Sequence, residues 1–259
     1  MLPKKLQDKI DARAKDSSLR SLGLRQDLLD FSSNDYLGFS SSKKMYNKAC
    51  SVLKQHNYQA NGATGSRLLT ANHPLYLDTE KQIASFHNTP SALIFNSGYD
   101  ANIGFFSSVP QRGDVILYDA LCHASIRDGI AMSHAKGHKF AHNNLQGLEA
   151  LLEAQNTPGK IRPEIYVVTE AVFSMDGDRP PLKAVATLCK KYSAYLIVDQ
   201  AHATGVIGPK GKGLVQELAL ENLVFARIVT FGKALGCHGA AILGSCELKS
   251  YLINFARSF

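Results

Sequence analysis

The sequence predicts an α/β chain built on a mostly parallel, buried central sheet flanked by helices, and three observations carry that prediction. From about residue 90, short and nearly continuous apolar runs recur: SALIF (91–95), DVILYD (114–119), EIYVVTE (164–170), AYLIVD (194–199), LVFARIVTF (223–231) and GAAILGS (239–245). Polar-periodic, helix-like stretches such as 143–155 and 181–192 separate them, the pattern of strands covered on both faces. Polar residues cluster just past the runs, where ligands collect in such sheets.

Each end contributes its own group. Ser97 and Gly98 follow the first run, His123 the second and Ser174 the third, while Asp199 closes the fourth and Lys233 follows the fifth. The expectation is that five neighbouring strand ends converge on one crevice. Taken singly, several of these residues are also what a helix cap looks like.

The remaining chain bounds the answer. With 259 residues, 45% of them hydrophobic, it can bury a substantial core in one large domain with a small appendage. Residues 1–40 read as an N-terminal arm and 41–259 as the large domain. The arm begins MLPKKLQDKIDARAKDSSLR, a charged amphipathic helix with no apolar signal core, which argues against secretion. Helices are expected near 41–55 and from Pro74 to His87, on either side of the loop ANGATGSR (60–67). No apolar stretch approaches the roughly 20 residues a bilayer span needs, so no membrane partner is expected. Five cysteines without CxxC spacing fit a reducing cytoplasm better than a disulfide framework or zinc ribbon. The net charge of +7 is dispersed rather than clustered, which points to anionic small substrates and not to nucleic acid.

The lysine and the aspartate name a chemistry. Lys233 lies in IVTFGKALG (228–236), and Asp199 is the aspartate of VDQAH (198–202). A lysine amine can hold the aldehyde of pyridoxal phosphate as a Schiff base, and an aspartate can keep its pyridine nitrogen protonated. NSGYDAN (96–102) places Ser97, Gly98 and Tyr99 where a helix N-terminus can take a phosphate. Thr230 can add a hydroxyl there, or be an ordinary β-branched strand residue. His123 can stack on a flat ring, and His202 can hydrogen-bond a ring substituent. The loop Gly62–Arg67 can cradle a phosphate or be a surface turn.

Other readings fail on particulars. The glycine loop lacks the GK[ST] of a phosphate-binding P-loop, and no GxSxG elbow supplies a hydrolase nucleophile. His134, His138 and His142 recur every four residues, but Gly137 interrupts them and HKFAH reads as extended, so no metal is expected.

Together FSSNDYLG (31–38), NGATGSR (61–67), FNSGYDAN (95–102), CHASIRDG (122–129), FAHNN (140–144), VVTEAVFSMDGD (167–178), VDQAHATGVIG (198–208) and TFGKALGCHGAA (230–241) resemble the α-oxoamine synthases. These are fold-type I pyridoxal phosphate-dependent transferases, and the resemblance runs through essentially the whole chain. It implies decarboxylative condensation of an amino acid with an acyl thioester by a cytoplasmic homodimer. FSSNDYLG, FAHNN and Arg20 point to the member that uses L-alanine and a pimeloyl thioester. The roles it implies are Lys233 as cofactor anchor and base, Asp199 at the ring nitrogen and His123 on the ring face. Ser174 and His202 would meet the phenolic oxygen, with Ser97, Gly98, Tyr99 and Thr230 around the phosphate. Arg20, Asn34 and Tyr36 would lie on the substrate side. The chain departs from the family pattern at Gln200, Ala203, Ala71 and Tyr76. It also stops after the large domain, which implies that the family's C-terminal small domain is absent.

Overall fold

A computed structural model describes residues 2–23, 28–155 and 162–259 as two compact units, Met1–Ser33 and Asn34–Phe259. In the first unit the charged segment forms α1 (Lys4–Lys15), exposed along its length, with Arg13 and Lys15 in the last turn, where the helix dipole favours cations.

The second unit follows the predicted alternation. Its elements are α2 (Lys43–Gln55), α3 (Pro74–Phe86), β1 (Ser91–Phe95), α4 (Gly98–Ser108), β2 (Val115–Asp119), α5 (Ala124–Ala131), β3 (Lys136–Phe140) and α6 (Leu145–Ala154). After these come β4 (Ile165–Glu170), α7 (Leu182–Lys191), β5 (Tyr195–Asp199), α8 (Leu214–Glu217), β6 (Ala226–Thr230), β7 (Ala240–Gly244) and α9 (Cys246–Phe255). Every apolar run became a strand. Local chemistry marks the helix starts: Ser42, Ser97, Asn144 and Ser245 each accept a backbone N–H from the first turn of the helix they precede. Pro74 opens α3 with its fixed φ.

The strands form one seven-stranded sheet in the order β1-β7-β6-β5-β4-β2-β3. All pairings are parallel except those of β7, which runs antiparallel to both β1 and β6. This corrects one expectation. The first and fifth runs are not neighbours, because β7 lies between them. Two reversals restore direction, so β1 still points the same way as β6, and its carboxyl end stays on the same edge of the sheet.

A second correction concerns β3, whose KGHKF has no apolar run to announce it. It is an edge strand, exposed except at Phe140, and its lysines suit an edge that must not pair with another chain. Gly137 is required there by close approach, since a Cβ would lie 2.6 Å from Ile130 of α5.

Alternation along each strand feeds two faces. Ile116, Val168, Ile197 and Ile228 pack with Phe105, Phe106 and Ile126 of α4 and α5, and with Leu248 and Leu252 of α9. Leu117, Val167, Leu196 and Val198 turn the other way, onto Leu148, Leu152, Val185 and Leu214 of α6, α7 and α8. α3 covers β1, β6 and β7 on that second face through Ala84. Both faces are therefore dry, as a central parallel sheet requires.

Phe105 is fully buried where α4 meets Phe106 and Phe225. Phe105→Ala is expected to cost about 3–5 kcal/mol of stability, read from the urea midpoint at unchanged m-value.

Candidate active site at the carboxyl ends of the strands

The carboxyl ends of β1, β2, β4, β5 and β6 border a crevice of about 170 Å³ lined by Lys233, Asp199, His202, His123, Glu170, Asn102, Ser125, Tyr99, Gly98 and Thr230 among others.

Lys233 is presented by the turn after β6. Within that turn Phe231 donates to Gly239, Cys237 to Phe231 and Gly236 to Lys233, all backbone to backbone at 2.8–2.9 Å. Gly236 adopts φ +60 and packs directly on the backbone of Phe39 and Ser40, where any side chain would collide. The amine lies 2.5 Å from His202 Nε2. Burial lowers the Lys233 pKa, opposed by the negative charges of Asp199 and Glu170.

Asp199 ends β5 and is buried. Its Oδ1 accepts from the Ala201 amide at 2.9 Å, and its Oδ2 from Asn102 Nδ2 at 3.0 Å. Asn102 Nδ2 also donates to Ser125 Oγ at 3.0 Å. Ser125 Oγ in turn lies 2.7 Å from His123 Nδ1. The Ser125 amide donates to that same nitrogen at 3.2 Å, so Nδ1 carries the lone pair and Nε2 the proton. His123, the residue that starts α5, is fixed from its backbone too, its N–H donating to Glu170 Oε1 at 2.6 Å.

Glu170 ends β4 directly opposite Asp199 in the parallel register. Burial, then the Asp199 charge, push its carboxyl up to about 8. Two carboxylates thus stand side by side in a dry setting, and Glu170 is the one that keeps its proton at neutral pH. His202 is driven the opposite way, down to about 4, by burial and then by the positive Lys233.

At α4, Ser97 Oγ accepts the Asp100 amide and the Ser97 carbonyl takes the Ala101 amide. The amides of Gly98 and Tyr99, in the first turn, have no acceptor among the described residues and lie at the positive end of the helix dipole.

The structure therefore gathers Lys233, Asp199, His123, His202, Gly98, Tyr99 and Thr230 in one place. Ser97 caps α4 and does not line the crevice. Ser174 is exposed in the loop after β4 and lies outside it. Thr230 does line it, but its hydroxyl donates to the Gly239 carbonyl at 3.2 Å. Tyr36 reaches the site by a 2.7 Å hydrogen bond to His202 Nδ1, and Asn34 accepts from Tyr36 Oη at 3.0 Å. Arg20 is exposed in the first unit.

Three polar lining residues escaped the sequence reading: Asn102, Ser125 and Glu170. Glu170 carried a signal, since it closes EIYVVTE just as Asp199 closes AYLIVD. Asn102 lies one helical turn beyond Gly98 and so shares its face. The histidine series does not meet. His142 is held by Asp119 and Asp178, each at 2.8 Å, and no cluster of three or more metal-binding side chains occurs among the described residues.

The residues that depart from the family pattern have structural work. Gln200 is fully buried and its Oε1 accepts the Val215 amide at the start of α8. Tyr76 lies under the Arg67 guanidinium, 4.1 Å from its ring centre. Ala71 lines a separate pocket beside them, and Ala203 is core.

The aminotransferase class I and II family matches residues 26–259. An 8-amino-7-oxononanoate synthase from Emericella nidulans is 45% identical over 243 residues, covering 89% of this chain and 58% of that protein. A putative 8-amino-7-oxononanoate synthase from Halalkalibacterium halodurans is 43% identical over 231 residues, covering 89% and 56%. The chain thus spans a little over half the length of these curated relatives. Among solved structures, serine palmitoyltransferase from S. paucimobilis with PLP bound superposes with a TM-score of 0.85 at 25% identity, over 98% of this chain and 68% of that one. The 8-amino-7-oxononanoate synthase of Francisella tularensis gives 0.70 at 30%, over 89% and 62%.

Because the Glu170 pKa lies above the value of about 4.3 for a free glutamate, protonated Glu170 contributes stability that is complete below that value. The contribution drains away as pH rises through about 8. In the cofactor-free chain, Glu170→Gln should flatten this decline between about pH 5 and pH 8. Urea midpoints across that range measure it, and a decline as steep as that of the parent chain would show that Glu170 is ionised in the fold.

Proposed function

This chain belongs to the aminotransferase class I and II family, and from that premise we propose that it is the cofactor-binding part of an α-oxoamine synthase. The reaction in this reading is the decarboxylative condensation of L-alanine with a pimeloyl thioester, of coenzyme A or acyl carrier protein, to 8-amino-7-oxononanoate for biotin synthesis. One observation carries it: a half-buried lysine amine and a buried, donor-held aspartate share a crevice with two oriented histidines and a bare helix N-terminus.

That donor set fits pyridoxal phosphate. An amine suits its aldehyde, a carboxylate its ring nitrogen and helix amides its phosphate. The buried Asn102 Oδ1 has no partner among the described residues, which is a further sign of a site built for a polar guest. When bound, the cofactor supplies a carbonyl for amine exchange and a ring that draws electrons from the bond at Cα.

The chain's own groups then divide the work. Asp199, held in place by the Ala201 and Asn102 N–H groups, would face the ring nitrogen and favour its protonated form. His123 would lie against the ring face, its tautomer set by Ser125. The amides of Gly98 and Tyr99 take the phosphate, with Ser97 and Thr230 supporting that end. With the cofactor bound, the Lys233 amine would be placed to take the Cα proton and to return one. His202 would offer its imidazole to the phenolic oxygen and to the thioester carbonyl, while Ser174, outside the crevice, has no place at that oxygen. Asn34, Tyr36 and Arg20 serve the substrates, Arg20 at the distal carboxylate of the acyl chain. Overall the Cα–H, Cα–carboxylate and thioester C–S bonds break, while a Cα–acyl bond, a new Cα–H bond and the thiol S–H bond form. The thiol leaves, and the amino-acid carboxylate departs as carbon dioxide. Residues 41–259 act as the large domain of a cytoplasmic homodimer, and no described helix is long and apolar enough to cross a membrane.

The solved structures favour a second reading. The higher TM-score belongs to a serine palmitoyltransferase, so L-serine with a longer acyl thioester is the competing pair. Visible absorption of the purified chain with pyridoxal phosphate separates the two. L-Alanine should perturb the protein-bound band at lower concentration than L-serine or glycine. A preference for L-serine would move the assignment to the competing pair. Lys233→Ala should lose the borohydride-trapped cofactor altogether, and an unchanged cofactor spectrum in that variant would sink the central assignment.

A further inference from the structure

Four groups form a line running outward from the crevice. Lys233 Nζ lies 2.5 Å from His202 Nε2, His202 Nδ1 lies 2.7 Å from Tyr36 Oη, and Tyr36 Oη donates to Asn34 Oδ1 at 3.0 Å. The last member fixes the direction of the whole line. An amide oxygen only accepts, so the single hydroxyl proton of Tyr36 is committed to Asn34. The Tyr36 oxygen must then accept from His202, which puts the imidazole proton on Nδ1 and turns the bare Nε2 toward the amine.

The surroundings agree with a neutral imidazole. Burial and the adjacent Lys233 hold the His202 pKa at about 4. The other titratable groups facing this pair are Asp199, Glu170 and His123. The inner end of the line is half-buried, whereas Tyr36 is 46% exposed.

The segment that carries Asn34 and Tyr36 is held for this purpose. Asp35 Oδ1 accepts the Phe39 amide at 2.9 Å, and Asp35 Oδ2 accepts Ser40 Oγ at 2.5 Å, closing the turn. That turn packs on Gly236 of the Lys233 loop, and Leu37 packs against Gly205, three residues beyond His202. The lysine, the histidine and the tyrosine are thus delivered by three segments in mutual contact.

We propose that Asn34, Tyr36 and His202 form a directional proton exit for Lys233. An amine must be neutral before it can add to a carbonyl. In the forward step the Lys233 ammonium gives a proton to His202 Nε2, His202 Nδ1 gives its proton to Tyr36 Oη, and the half-exposed Tyr36 hydroxyl turns from Asn34 to give its own to water. The amine is left neutral, the imidazole and phenol stay neutral, and the solvent holds the proton. The line runs in reverse when the amine is protonated again. Tyr36 and Asn34 are positioning residues in this scheme, acting through His202.

The proposal rests on the reading of Lys233 as the cofactor anchor only for its purpose, and the test separates the two. In the full chain without cofactor, imidazole ¹⁵N shifts report the His202 tautomer. Carbamylation of Lys233 by cyanate, followed by mass spectrometry from about pH 6 to pH 9, reports the neutral amine. The capture rate of pyridoxal phosphate is then measured on the same samples. The parent chain should show the Nδ1–H tautomer. Tyr36→Phe and Asn34→Ala should lose that preference and slow both carbamylation and capture by about a hundredfold near neutral pH, at the low end of general acid–base effects. Asn34→Asp, which keeps an acceptor for Tyr36, should restore them. An Nε2–H tautomer in the parent chain, or Tyr36→Phe with unchanged tautomer and pH profile, would overturn the exit. Normal carbamylation behaviour with no capture of pyridoxal phosphate would leave the exit standing and remove the cofactor reading instead.

Discussion

The buried carboxylate of Asp199 is the constraint around which this site is arranged. A charge at the end of a dry parallel strand is tolerable only if donors surround it. The donors here are the Ala201 amide and Asn102 Nδ2. Asn102 belongs to α4, and its amide also binds Ser125 of α5, which sets the tautomer of His123. One ion's need for hydrogen bonds therefore orients two helices and an imidazole. The same charge acts on its neighbours through the low-dielectric crevice, helping to hold the proton on Glu170 while opposing the burial that lowers the pKa of Lys233.

A second layer of order comes from the segment Asn34–Ser40. It gains its shape from the Asp35 carboxylate, which ties the Phe39 and Ser40 amides. Gly236 lets that backbone come into direct contact with the Lys233 loop. A Cβ at 236 would separate the two, so the bond from Tyr36 to His202 depends on a residue that touches neither. Conformational freedom at one glycine is here a condition for the chemistry of a lysine three positions earlier.

Most of the fold was legible because burial on both faces writes itself as apolar runs. β3 was not, since KGHKF is stabilised by its pairing with β2 and carries lysines to guard an edge. The antiparallel β7 was seen as a strand, but its place between β1 and β6 depends on pairing that no local pattern encodes. At the site, the residues that end or follow strands were legible with the exception of Glu170, and those that support them were not. Asn102 and Ser125 act through side chains one turn or less into a helix, where composition looks like any polar helical face. Ser174 shows the converse limit: closeness to a strand end along the chain did not bring it to the crevice.

The departures from the family pattern test whether the site or its scaffold was altered. Gln200 directly follows Asp199, yet its side chain faces the other way, with its Oε1 on the Val215 amide and packed so tightly on Gly213 that no Cβ would fit there. A glutamine can satisfy that amide without bringing a second ion beside Asp199, and an acidic residue would place one in a fully buried position. Ala203, also fully buried, lies on the same turn and leaves His202 free to face Lys233. Gln200 and Ala203 therefore fall on the packing behind the crevice, while Ala71 and Tyr76 lie at a separate pocket beside Arg67. The groups that would meet a cofactor are untouched, and the geometry at Lys233 depends on the scaffold rather than on the changed residues themselves.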